Sequence, residues 1–208
     1  YTKDDNILFV LKPAEGSVFT QGALTAIKTF TDEGWKIPYA TRVDSLTNFQ
    51  HSYANGDDLT VEDLVRDPAS LTRSDLARIR DVAFDEPLIL NRLLSPSGET
   101  TAVNVNLTLP QKSAEEVPKA MAAAHALADR VRADHPDITI AITGLSALNN
   151  AFTEASQTDL TKLVPLMYGV LLLVMFVLLR SVSGTFATLL VIGLSASTAM
   201  GVAGWMGV

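Results

Sequence analysis

Apolar and polar positions divide the chain into two contrasting parts. Up to Thr143 short apolar stretches alternate with polar ones, whereas from Leu163 to Val208 a single charge, Arg180, separates two long apolar runs. The first run, Leu163 to Leu179, has 17 uncharged residues and the second, Ser181 to Val208, has 28. A bilayer core of about 30 Å needs roughly 20 apolar residues at about 1.5 Å each, so each run can cross once when interfacial residues are counted. In lipid both must be helical, because an unpaired peptide group there costs several kcal/mol. The pattern predicts membrane helices over 163–180 and 185–208, joined by a turn short enough to set them side by side and antiparallel. Gly193, Ser197 and Gly201 recur every four residues on the second, a small-residue face that lets another helix come close. With no Met at Tyr1 and an apolar run reaching Val208, the stretch reads as a piece of a longer membrane protein.

Before the spans the periodicity is mixed. Ile7 to Leu11 is a continuous apolar run ended by Lys12-Pro13, which reads as a central strand covered on both faces. Ala23, Leu24, Ala26, Ile27 and Phe30 share one helical face over 20–33, with Gly34 placed as a helix stop. Trp35, Ile37, Tyr39, Thr41 and Val43 then alternate with polar or small residues, a half-buried strand that Pro38 assigns to a sheet edge. Thr60 with Asp63, and Thr72 with Asp75, are capping signals that predict a helical insertion over about 57–95, after an Asn55-Gly56 turn. Val103, Val105, Leu107 and Leu109 alternate cleanly with polar neighbours. A stripe from Val117 to Val131 predicts a helix over 114–134, opened by Ser113 with Glu116 or by Pro118. Ile138, Ile140 and Ile142 give a last strand closed by Gly144. The order strand, helix, strand, insertion, strand, helix, strand is the split βαβ, or ferredoxin-like, pattern. It predicts an α+β domain over 1–145, joined by a helix over 146–162 to the first span.

Charge adds a constraint. All 23 acidic residues and 15 of the 16 Lys and Arg precede Leu163, so that part carries −8 and the apolar part +1 of the net −7. An acidic domain without a basic cluster argues against nucleic acid or anionic lipid headgroups as partners. The absence of Cys excludes thiol catalysis, Cys-based zinc sites and disulfides. His51, His125 and His135 fall on separate predicted elements and do not form a metal motif. No phosphate loop, nucleotide fingerprint or nucleophile elbow occurs. No catalytic residue, metal ligand or cofactor site is therefore expected, and an enzyme is the least supported class. Arg180 at the short turn favours a cytoplasmic turn and a domain on the outer side.

Two polar clusters sit at predicted strand ends: Asp4, Asp5 and Asn6 before the first strand, and Arg42, Asp44 and Asn48 after the second. Turn chemistry with an Arg42–carboxylate ion pair explains them in structural terms. In functional terms they are candidate residues of a joint to neighbouring domains, together with Asp159 ahead of the first span.

Several stretches carry a resemblance: DDNILFVL, IPYATRVDSLTNFQ, the approach from Asp159 to Pro165, and LLRSVSGTFATLL between the spans. In this order they resemble the resistance-nodulation-division (RND) superfamily, in particular its MMPL-type and hydrophobe/amphiphile efflux exporters. The resemblance implies a first extracytoplasmic porter domain followed by two spans of a multi-pass bacterial inner-membrane exporter, proton-driven and acting on lipids or other hydrophobic molecules. It implies as partners further membrane helices, a second porter domain and a possible homo-oligomer. The family's proton-relay acids lie in a fourth span, which these residues do not include. A membrane-anchored binding or sensor module, or a sterol-sensing or protein-translocation relative, is the alternative from the same residues.

Overall fold

The alternation of Ile7, Phe9 and Leu11 with Asn6, Leu8 and Val10 suits a strand with one face on a core. The computed structural model, which describes residues 5–55 and 58–206, makes this strand, β1 (Asp5–Pro13), the centre of the first of two units, Tyr1–Phe152. Helix α1 (Gln21–Gly34) follows, capped by the Thr20 hydroxyl, which accepts from the Ala23 N–H, and then the edge strand β2 (Ala40–Asp44). Strands β3 (Gln50–Asn55) and β4 (Asp58–Asp63) pair with each other in a separate two-stranded sheet. After helix α2 (Arg73–Asp85) come β5 (Thr101–Leu107), α3 (Glu116–Asp134) and β6 (Ile138–Thr143).

The main sheet has the order β2-β5-β1-β6, with every neighbouring pair antiparallel. Helices α1 and α3 pack on one face and on each other. Their stripes meet Ile7, Phe9, Leu11, Val103 and Val105, all at most 1% exposed, with the Phe9 and Phe30 rings 4.6 Å apart. Each such side chain contributes about 1.5–3 kcal/mol on burial. Gly34 ends α1 where a Cβ would sit 3.2 Å from Val105 Cγ2; its role is close approach of helix to sheet, and the left-handed stop expected of it does not form.

Three expectations from the pattern are corrected. β1 is central but fully buried on one face only, because its other face carries Asn6 and half-buried Leu8 and Val10. The second strand begins at Ala40, not near 36: Lys36 to Tyr39 form turns, Tyr39 has φ 69°, and Trp35 is half exposed. Pro38 has no N–H for a ladder, so pairing with β5 starts after it, with a register shift between Ala40 and Arg42. The insertion is not helical throughout. Residues 58–63, where Thr60 and Asp63 gave a capping signal, are strand β4, and Thr60 faces Tyr53 across the hairpin. β-branched Thr60 and Val61 favour a paired strand once β3 is alongside. The expected Asn55-Gly56 turn runs into residues outside those described. The second signal holds: Thr72 and Asp75 form a full capping box on α2.

The second unit, Thr153–Val208, consists of most of helix α4 (Leu145–Leu179) and of α5 (Val182–Trp205). Both helices are long and apolar enough to cross a membrane. Arg180, with φ 45°, and Ser181, whose hydroxyl caps α5 by accepting from the Gly184 N–H, make the two-residue turn. The helices do not pack along their lengths as the short turn implied. A turn brings only the ends together, and between spans no hydrophobic force zips the rest.

Candidate functional site

The face of the sheet opposite α1 and α3 carries a line of amides. Strand period two puts Asn6 of β1, Asn104 and Asn106 of β5, and Arg42 and Asp44 of β2 on this one side. The register sets Asn6 opposite Asn106 and Leu8 opposite Asn104, and Arg42 and Asp44 opposite Asn106 and Asn104. Their side chains form one directed chain. The Leu145 N–H donates to Asn6 Oδ1 (3.0 Å), Asn6 Nδ2 to Asn104 Oδ1 (2.8 Å), Asn104 Nδ2 to Asn106 Oδ1 (3.2 Å), and Asn106 Nδ2 to Asp44 Oδ2 (3.2 Å). Arg42 Nε closes the chain on Asp44 Oδ1 at 2.7 Å. Each amide both accepts and donates in the same sense, so the dipoles reinforce one another and end on a carboxylate.

Of this chain Asn6, Asn104, Arg42 and Asp44, with Leu8 beside them, floor a cavity of about 650 Å³, within the range of small-molecule sites. Its walls come from the chain between β2 and β5: Ser45 and Asn48 to Gln50 on one side, Leu88, Arg92 and Leu93 on the other. The first wall is held rigidly. Thr31 of α1 and Ser45 and Thr47 of the loop, all at most 2% exposed, bring three hydroxyls within 3.0 Å of one another. Asn48 Oδ1 accepts from the Ser45 N–H (2.8 Å), and its Nδ2 donates to the Val43 carbonyl (2.7 Å). In the second wall a tight turn over Glu86–Leu94 repeats bonds to the Ile89 carbonyl, and Asn91 has φ 64°. Arg92 makes no ion pair among the described residues.

The structure thus brings Asn6, Arg42, Asp44 and Asn48 to one cavity. Asp4 lies outside the described residues. Asp5 is buried and falls on the helix-covered face, away from the cavity. Asp159 is exposed on α4, and Gly193, Ser197 and Gly201 are exposed on α5, where a Cβ at either glycine would meet nothing within 4 Å. Asn104, Gln50 and Arg92 were missed. The Val-Asn-Val-Asn alternation of β5 was the available signal for Asn104, but it reads equally as a solvated strand face. Nothing local marks Arg92.

Elsewhere charge is used structurally. Lys36, bonded to Glu33, and Arg130, 3.6 Å from it, hold the Glu33 carboxyl below its ordinary range. The Thr72 hydroxyl and N–H do the same to Asp75. Tyr53 donates to Glu62 at 2.9 Å, which raises the phenol. His51 stacks on Tyr53, while His125 lies on α3 and His135 at its end. No group of His, Asp and Glu among the described residues is arranged to hold a metal.

Residues 20–208 match the model of the MMPL family, taking in the α+β unit from Thr20 onward and the two apolar helices. No curated protein matches the chain.

Proposed function

The chain belongs to the MMPL family, whose members are RND-type membrane transporters of hydrophobic substrates, and from that premise we propose that it is part of a proton-driven exporter of lipids or other amphiphiles. The observation that carries this reading is a single family match running from Thr20 of the α+β unit through both candidate spans. We read the first unit as a ferredoxin-like porter domain on the outer side of a bacterial inner membrane. In support, β2-β5-β1-β6 is the strand order that a βαββαβ chain adopts when α1 and α3 cross over on one face, with residues 45–100 inserted. Arg180 at the turn between spans supports a cytoplasmic turn. The exposed face of Gly193, Ser197 and Gly201 supports packing against further helices of a multi-pass bundle, with a second porter domain as the other partner.

In this mechanism α4 transmits motion, since Leu145–Leu179 is one helix and the porter domain has to move with the bundle to alternate access. Two glycines inserted after Thr158 of the full-length protein weaken that helix, at about 1 kcal/mol each from propensity alone. Export is expected to fall while abundance and membrane insertion stay normal. Full export at normal abundance would sink the coupling. A merely anchored sensor domain tolerates the insertion and retains its ligand.

A further inference from the structure

We propose that the cavity on the open face of the main sheet binds the anionic headgroup of an amphiphile, a phosphate or carboxylate taken by Arg92 and Arg42 above a floor of asparagine amides. The choice of an amphiphile rests on the transporter reading; the anion and its site rest on the cavity alone.

Charge gives the first argument. The first 162 residues carry −8, yet this cavity is lined by two arginines and one carboxylate. Asp44 neutralises only part of the pair, through Arg42 Nε, which leaves the two terminal nitrogens of Arg42 pointing to no acceptor among the described residues. Arg92 pairs with no carboxylate there. A positive concavity in an acidic domain focuses anions at that point, and a guanidinium fork suits phosphate and carboxylate geometry.

The floor gives the second argument. Asn6 and Asn104 each use one Nδ2 hydrogen in the directed chain, and each amide nitrogen carries a second. The cavity therefore offers neutral donors beside the cations, the combination that holds a headgroup bearing ester or hydroxyl oxygens. The third argument is the apolar share of the lining. Leu8, Phe49, Leu88 and Leu93 stand beside the polar floor, and Leu88 is 56% exposed at the cavity. A free anion has no use for them, whereas the first carbons of an acyl chain do.

The site also reaches a structural point. Asn6, which would touch the headgroup, accepts from the first N–H of α4, so an occupied cavity bears on the residue at which that helix begins.

The test uses the full-length protein in nanodiscs of phosphatidylcholine, with binding measured by calorimetry and independently of transport. Dihexanoyl phosphatidylglycerol is expected to bind more tightly than dihexanoyl phosphatidylcholine, and Arg92→Gln to weaken it about tenfold or more, since a charge-assisted bond is lost. Arg92 is exposed, so the variant's unfolding temperature should be unchanged. Hydrogen exchange should slow over 42–50 and 88–94 on binding. Equal binding by Arg92→Gln, or no preference for the anionic lipid, would overturn the site. Glycerol phosphate matching the amphiphile's affinity would overturn the amphiphile assignment in favour of a free phosphate ester. Because no export is measured, loss of the transporter reading in the glycine-insertion experiment is a separate result.

Discussion

Val105 sits fully buried between Ile7 of β1 and Val43 of β2, and its Cγ2 limits how near Gly34 can come. An aspartate there buries a charge with no partner, and Val105→Asp should cost several kcal/mol. A chemical-denaturation midpoint equal to the wild type's would mean this face is not core. Thr31 shows the polar counterpart. Its hydroxyl bonds the Ile27 carbonyl at 2.7 Å and meets Ser45 and Thr47. Thr31→Val keeps the shape but leaves two buried hydroxyls short of a partner, with an expected loss of about 1–3 kcal/mol. If the loop wall depends on this cluster, hydrogen exchange over 45–50 should quicken in the same variant. Unchanged exchange would assign the wall's rigidity to Asn48 alone.

At the level of elements, caps decide where helices begin. α2 buries only Ile79 and Ala83 and so depends on its capping box, whereas α1 and α3 bury whole stripes, α1 with the Thr20 hydroxyl as its cap and α3 with no side-chain cap bond. Thr72→Ala should destabilise the unit by about 0.5–2 kcal/mol at neutral pH. The pH dependence follows from the lowered Asp75 carboxyl. Its contribution is complete above the ordinary value of 3.8 and disappears as pH falls through the lower folded value. Glu33 behaves in the same way below 4.5. In Thr72→Ala the hydroxyl bond to Asp75 is gone and the backbone N–H bond remains, so the stability gap to the wild type should narrow, without closing, as pH drops below about 4. A gap that stays constant into acid would show that Asp75 is not held by Thr72. α3 opens differently: the buried Glu116 carboxylate accepts from the N–H groups of Gln111, Lys112 and Ser113, so the helix's own side chain secures the loop before it.

At the scale of the molecule the question is orientation in the membrane. The chain has no Cys, so single-cysteine reporters are unambiguous. With the turn at Arg180 cytoplasmic, a reporter at exposed Ala122 on α3 should be labelled from outside intact cells, and one at Ser183 should be protected. The opposite pattern reverses the topology and with it the outward path. Pro165 lies inside α4 and cannot donate to the Thr161 carbonyl four residues back, while Thr161 Oγ1 bonds the Gln157 carbonyl at 2.9 Å. The backbone ladder of α4 therefore lacks one bond here, close to where its composition turns apolar.

The two long apolar helices, the stripes of α1 and α3, the central place of β1 and the alternation of β5 and β6 were legible in the residues, because length, charge and period are local quantities. The resemblance to the family was legible for the same reason: it rides on contiguous stretches that reach across both units. What the chain alone did not show depends on distant partners. Residues 58–63 carry a helix-cap signal, and only pairing with β3 makes them strand. Asn6 meets Asn104 across 98 residues of sequence, and Arg92 joins Arg42 over one floor only because the insertion folds back across the sheet. Single residues at strand ends announced themselves as polar clusters. Which of them share a cavity was decided by register, since one residue of slip would turn Asn6, Asn104 and Asp44 from the open face into the core.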